Sequence, residues 1–180
     1  MPKVVVLRYG HRPTRDKRVS THTALVARAF GADGICFSDT MDKELKKSIE
    51  GVVERFGGPF FAEMGESWSD LIKKWQLEGG EVIHLTMYGL PLPEVIETIK
   101  QSPKKKLVVI GSEKVPGEIY QISDYNVAVT NQPHSEIAAL CIFLDRFFDG
   151  KAVEGNKQFK GGNLKIIPCA RGKRVVECDF

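Results

Sequence analysis

The stretch 106–136 constrains the fold more than any other part of the chain. It begins Lys-Leu-Val-Val-Ile-Gly and continues, after a spacer, as Tyr-Asn-Val-Ala-Val-Thr-Asn-Gln-Pro-His-Ser-Glu. Residues 107–110 form an unbroken apolar run, the pattern of a strand buried on both faces. Gly111 ends that run with a turn. Residues 127–129 form a second short run, ended by Thr130, Asn131, Gln132 and Pro133. A helical pattern follows, with Ile137, Leu140, Cys141, Leu144, Phe147 and Phe148 on one face. Strands that end in polar loops ahead of helices are where open α/β sheets bind ligands. This segment is therefore expected to floor a small-molecule site.

The same alternation runs through the rest of the chain. Strands are expected at 4–7, 34–37, 60–64 and 81–86. Ser20 or Thr21 is expected to cap a first helix with Leu25, Val26, Ala29 and Phe30 inward. Asp39 or Thr40 is expected to cap a second helix, with Leu45, Ile49, Val52, Val53 and Phe56 on one face. Ser67 and Asp70 make a capping-box pattern ahead of Trp68, Leu71, Ile72 and Trp75. Pro93 and Pro116 start later helices. The run Lys104, Lys105 and Lys106 is expected at a solvated edge. The whole predicts an α/β fold, a mainly parallel sheet with helices on both faces. Residues 1–150 form the main body. Residues 151–180 form a basic extension of the same domain, with strands at 164–167 and 174–177 in a β-hairpin.

At 180 residues the chain is long enough for one domain with a substantial core. No apolar run is long enough to span a bilayer and no signal-peptide pattern opens the chain, so the expected location is cytoplasmic. Cys36, Cys141, Cys169 and Cys178 include no Cys-x-x-Cys pair, so a zinc site is disfavoured. Cys36 and Cys141 fall in apolar patterns and are expected to be buried. A hairpin turning at Arg171 and Gly172 would set Cys169 opposite Arg174, which favours reduced thiols over a Cys169–Cys178 disulfide.

The net charge of +3 is unevenly spread. Residues 1–18 carry six Lys/Arg and one acid, and residues 151–180 carry seven Lys/Arg and three acids. Both ends are basic around an acidic body, which favours a polyanionic partner over merely solvated termini. Arg12, Arg15 and Arg18 stand three apart, and forked guanidinium donors match phosphate oxygens. Asp16 is placed to pair with one of them. His22 is a weaker candidate near the start of the first helix. His84, inside a strand, reads as core or interface.

Neither Gly-x-x-x-x-Gly-Lys-Ser/Thr nor Gly-x-Gly-x-x-Gly after the first strand is present, which disfavours a P-loop or an ordinary dinucleotide fold. Three polar loops follow predicted strands, at 85–89, 111–115 and 129–135. They offer backbone donors and acceptors beside apolar side chains, which suits an adenine-type ligand. Three ordinary turns would read the same way.

Longer motifs narrow the choice. Leu7-Arg8-x-Gly10-His11-Arg12-x-x-Arg15-Asp16-x-Arg18, Thr21-His22 and Ala27-Arg28-Ala29-Phe30-Gly31-Ala32 together resemble the archaeal tRNA cytidine-56 2′-O-methyltransferases. Leu85-Thr86-Met87-Tyr88-Gly89, Gly111-Ser112-Glu113-Lys114-Val115-Pro116 and Asn131-Gln132-Pro133-His134-Ser135-Glu136 extend the resemblance over nearly the whole chain. It implies a metal-independent homodimer of the SPOUT class, with a C-terminal trefoil knot that binds S-adenosylmethionine, and tRNA as substrate. The implied cofactor residues are Leu85, Thr86, Met87 and Gly89; Gly111, Ser112, Glu113, Lys114 and Val115; and Val129, Thr130, Asn131, Gln132, His134 and Ser135. The implied reaction methylates a ribose 2′-hydroxyl in the TΨC loop. Relatives in the class place an arginine near the first helix, where this chain has Leu25. The implied role therefore moves to Arg18, Arg12 or Arg15, with His22 as the alternative base. A non-catalytic RNA-binding module would use the same basic ends.

Overall fold

The computed structural model describes residues 1–111, 114–154 and 159–178. Six parallel strands form one sheet in the order β3-β2-β1-β5-β4-β6. They are β1 Val4–Tyr9, β2 Gly34–Phe37, β3 Phe61–Met64, β4 Glu81–Pro91, β5 Lys106–Gly111 and β6 Tyr125–Ala128. The connecting helices are α1 Lys17–Ala29, α2 Lys43–Phe56, α3 Trp68–Leu77, α4 Leu92–Gln101, α5 Gly117–Ile122 and α6 Glu136–Phe147. Successive strand residues point to opposite faces, and here both faces are dry. Val4, Val6, Ile35, Phe37, Ile83, Leu85, Val108 and Ile110 pack under α1, α2, α4 and α6. Val5, Leu7, Cys36, Val82, Leu107 and Val109 pack under α3 and α5, with Trp68 and Trp75 partly buried beside them. No helix among the described residues is long and apolar enough to cross a membrane.

Several local expectations give way to tertiary contacts. The first helix starts at Lys17 after Asp16, ahead of Ser20 and Thr21. The Asp16 carboxylate does not cap it, because Arg12 takes that carboxylate through its backbone N–H at 3.2 Å and its Nε at 2.9 Å. The buried face of α1 is Ser20, Thr23, Ala24, Ala27 and Arg28, with Leu25 and Val26 only half-buried and Ala29 exposed. Small residues let α1 approach α6 closely, and the larger apolar ones flank the contact. In α2 the cap is Asp42, whose Oδ1 accepts from the Leu45 N–H at 2.9 Å, in place of Asp39 or Thr40. Ser67 caps α3 as its pattern predicts. In α6 the buried set is Ala139, Leu140, Phe143, Leu144 and Phe147. Cys141 is half-buried: a helix apolar on most sides leaves its inward face to the neighbours.

Lys106 is the largest departure. It is fully buried, and its ammonium pairs with Glu81, whose other carboxylate oxygen accepts from Ser102 at 2.9 Å. A charge run is therefore not a surface run throughout: a strand's pleat turned this lysine inward. Burial would raise the Glu81 carboxyl, but the hydrogen bonds from Lys106 and Ser102 outweigh it and hold it below the usual range. Asp42 is likewise lowered, by the Leu45 N–H and then by His11.

The C-terminal segment lies against the end of α2. Gly58 and Lys160 form a β-bridge, and the Asn163 N–H donates to the Glu54 carbonyl. Arg28 reaches the same place from α1. Its Nη2 donates to the carbonyls of Phe56 at 2.7 Å and Gly57 at 2.6 Å, and its guanidinium stacks 3.9 Å from the Phe159 ring. Strands β7 Leu164–Ile166 and β8 Val175–Glu177 form a two-stranded antiparallel sheet. Their register pairs Ile166 with Val175, and Ile167 donates to Arg174. The Cys169 thiol meets the carbonyl of Gly172, not Arg174, and all four cysteines are free.

Two outcomes are expected. Arg28→Ala strips the hydrogen bonds to the carbonyls of Phe56 and Gly57 and should lower unfolding free energy by about 2 kcal/mol or more, read from urea denaturation. Glu81 and Asp42 have lowered folded-state values, so the stability they add is present above their unfolded values near pH ~4. It should be lost as pH falls through the lowered values, and Tm measured against pH should drop in that acid window.

Candidate functional site

The C-terminal ends of β4, β5 and β6 open into a cleft of about 740 Å³. Its shape depends on an interruption in one strand pair. Leu85 and Leu90 both lie opposite Val127, so residues 86–89 leave the ladder as a bulge. The loop predicted at 87–89 is thus an excursion within β4, which re-forms and runs on to Pro91. Gly89 makes this possible. A Cβ there would sit 2.5 Å from the backbone of Asn126 and Val127, a contact no side chain can make. Asn131 ties the excursion to the next loop: its Nδ2 donates to the carbonyls of Met87 at 2.8 Å and Gly89 at 3.1 Å.

Eight of the residues expected from the sequence line the cleft: Leu85, Thr86, Met87, Gly111, Lys114, Val115, Val129 and His134. Others shape it without lining it. Gly89 and Asn131 act as above. Ser135 uses its Oγ to accept from the Ile137 N–H and cap α6. Thr130 and Gln132 are exposed, though the Gln132 carbonyl accepts from His134 Nδ1 at 2.7 Å. Ser112 and Glu113 lie outside the described residues.

Sequence reasoning missed much of the remaining wall, namely His84, Tyr120, Glu136 and Ala139. His84 reads as core or interface, and it is both buried and part of the cleft lining. Thr86, on the same strand face, shares a hydrogen bond with the Tyr120 hydroxyl at 3.1 Å. Glu136 belonged to a quoted motif, but its carboxylate gained meaning only from its partner. That partner is Arg8 on β1, fully buried, with Nη2 3.5 Å from Glu136 Oε1.

Arg8 starts a buried polar chain. Its Nε–H donates to Ser20 Oγ at 3.1 Å, Ser20 Oγ lies 2.7 Å from His11 Nδ1, and His11 Nε2 lies 3.2 Å from Asp42. Burial pulls the Arg8 guanidinium below its ordinary value, with Glu136 and Asp16 opposing. Its Nη1 is buried without a partner among the described residues. The chain links the cleft wall to the roots of the arginine loop and of α2.

The structure does not bring the expected catalytic cluster to the cleft. Arg12 is held by Asp16, while Arg15, Arg18 and His22 are exposed on the loop and the first turns of α1. None of the four lines the cleft of its own chain. The reason is the early helix start, which puts Arg18 and His22 on the outer side of α1, away from Ser20 and Ala24.

A model of the family described as tRNA ribose 2′-O-methyltransferase, aTrm56, matches residues 56–176. A tRNA (cytidine(56)-2′-O)-methyltransferase of Pyrococcus horikoshii is 54% identical over 177 residues, 97% of this chain and 85% of that one. The corresponding protein of Thermococcus kodakarensis is 50% identical over 179 residues, 98% of each chain. Among solved structures, the A. aeolicus TrmH/SpoU tRNA modifying enzyme superposes with a TM-score of 0.60 at 14% identity, over 87% of this chain and 79% of that one. The SpoU methyltransferase AviRb from Streptomyces viridochromogenes, in complex with AdoMet, gives 0.57 at 15% identity, over 83% and 58%. At such identity these structures show a shared fold.

The link made by Asn131 can be checked directly. Asn131→Ala should speed amide hydrogen exchange across 86–90 at least several-fold, while the global unfolding free energy changes by less than about 1 kcal/mol.

Proposed function

We propose, on the premise that this chain belongs to the aTrm56 family of tRNA ribose 2′-O-methyltransferases, that its cleft binds S-adenosylmethionine and that its basic surfaces hold tRNA. The chain is an enzyme that methylates the ribose 2′-hydroxyl of cytidine 56 in tRNA. The observation that carries the cofactor reading is the meeting of Leu85, Thr86 and Met87, of Gly111, Lys114 and Val115, and of Val129 and His134 in one cleft. Apolar Leu85, Val115, Val129 and Ala139 suit a purine face, and a volume of about 740 Å³ suits a ligand of this size. Glu136 is the one carboxylate among the described lining residues, and its negative charge suits a cationic donor.

When bound, S-adenosylmethionine supplies a methyl group made electrophilic by its sulfonium. The protein must orient the ribose oxygen and handle the proton it gives up. A guanidinium is a poor base, so Arg18, with Arg12 and Arg15, is assigned to orientation and charge stabilisation. His22 is the alternative base. Because these residues do not line the cleft of their own chain, the reading includes a homodimer in which they serve the partner's cleft. The reading also includes a C-terminal trefoil knot and a cytoplasmic location. Phosphates of tRNA would sit along Arg15, Lys17 and Arg18, and against the basic C-terminal segment.

Incubation of the protein with labelled cofactor and unmodified tRNA should place the label on the ribose of cytidine 56; a 2′-deoxy nucleotide at that position should take up none. Arg18→Ala should lower methylation about 100-fold or more, with cofactor affinity unchanged by calorimetry. Full turnover by that variant would remove Arg18 from the mechanism. An absence of heat on titrating S-adenosylmethionine into the wild-type protein would leave only the RNA-binding reading.

A further inference from the structure

His84 is held more tightly than packing requires. It sits on β4 with its side chain on the α3 and α5 face, two residues before Thr86 and so on the same side of the sheet. Its Nδ1 lies 2.9 Å from Asn126 Oδ1, and its ring meets Tyr120 edge-on with centroids 4.6 Å apart. The Asn126 amide has only one orientation available. Its Nδ2 donates to the Tyr120 carbonyl at 2.8 Å, which leaves Oδ1 for the histidine. An oxygen acceptor at Nδ1 requires that this nitrogen carry the proton. Nε2 of the neutral ring is then a bare acceptor.

That acceptor has no hydrogen-bond partner among the described residues and is not among the atoms wholly shut off from solvent, although His84 is only 1% exposed and lines the cleft. Buried polar atoms are normally satisfied, so an open one in a cleft wall points to a ligand donor. Burial pulls the imidazole below its ordinary value, with the Asn126 contact opposing, which keeps the neutral, acceptor form in place.

The charges of the cleft indicate which part of the ligand lies there. Among the described lining residues Glu136 and Lys114 carry charge, while the lining groups clustered at His84 are the neutral Tyr120 and its partner Thr86. A sulfonium amino-acid donor carries all its charge on the methionine portion and none on the nucleoside. On the nucleoside, the N–H and O–H donors are the adenine 6-amine and the ribose hydroxyls.

Resting on the cofactor reading above, we infer that His84 is a specificity residue whose Nε2 accepts a hydrogen bond from the nucleoside of the cofactor, its tautomer set by Asn126. A purely packed histidine would show no preference for what replaces its ring. Here the two amides should differ: Gln can place an acceptor where Nε2 lies, whereas Asn reproduces only the Nδ1 side.

Calorimetry with S-adenosylhomocysteine tests this. His84→Asn should weaken binding about tenfold or more, and His84→Gln should stay within about threefold of wild type. The 6-oxo analogue S-inosylhomocysteine and the 2′- and 3′-deoxyribose analogues identify the donor. The one lacking it should bind wild type about tenfold more weakly, and that penalty should vanish in His84→Asn. Equal losses in both variants, or wild-type affinity in His84→Asn, would overturn the inference. So would wild-type protein binding every analogue like the parent compound, a result that stands even if a variant fails to fold. If wild type binds S-adenosylhomocysteine but ignores all nucleoside changes, only the His84 role falls. If it binds no probe at all, the cofactor reading falls as well.

Discussion

The parallel sheet is buried on both faces, and everything else in the molecule is positioned by that fact. With helices on each side, a one-residue slip of β1, β4 or β5 would exchange the residues of the two cores. Val4 and Val6 face one core and Val5 and Leu7 the other. The strand ends are therefore placed with little freedom. Side chains at the carboxyl ends of β1, β4, β5 and β6 come to the same edge of the sheet because the register delivers them there. Arg8 and His84 show how strict this is. Both are polar residues in apolar strands, one pointing to each face, and each is held by a specific hydrogen-bonding partner.

The cleft arises where the ladder is broken. Pairing of β4 with β6 stops at Leu85 and resumes at Leu90, and the residues between form its wall. Gly89 permits the close return of the backbone, and Asn131 secures it from the neighbouring loop. These residues are not among the described lining of the cleft, yet they set its shape. Lining residues and shaping residues are interleaved in the same motifs, so a motif match alone does not tell which of them face the cleft.

The basic ends of the chain behave differently from one another. At the N-terminus, Arg12 is fixed by Asp16, while Arg15 and Arg18 project from a turn and a helix whose roots lie in the buried chain Arg8–Ser20–His11–Asp42. Their backbone is thereby anchored to the cleft wall. At the C-terminus, Arg28 clamps the end of α2 and the ring of Phe159, which holds the extension against the body. Cation and aromatic contacts serve the fold at that point.

Much was legible in the amino-acid sequence itself. Apolar runs ended by glycine and polar turns specify strands by local chemistry, so the alternation of strands and helices, the α/β class and the three strand-exit segments could be read without coordinates. The long motifs carried the family. The pattern paired Asp16 with one of the three arginines, as Arg12 does, but it did not show that α1 would start at Lys17 and turn Arg18 and His22 outward. It could not tell that Lys106 would be buried against Glu81, that β4 would resume after its bulge, or that Arg8 and His84 would meet Glu136 and Asn126. Those outcomes depend on partners 4 to 128 residues away. Only the folded chain brings most of those groups within hydrogen-bonding distance, and there burial makes each unpaired polar atom costly enough to decide the arrangement.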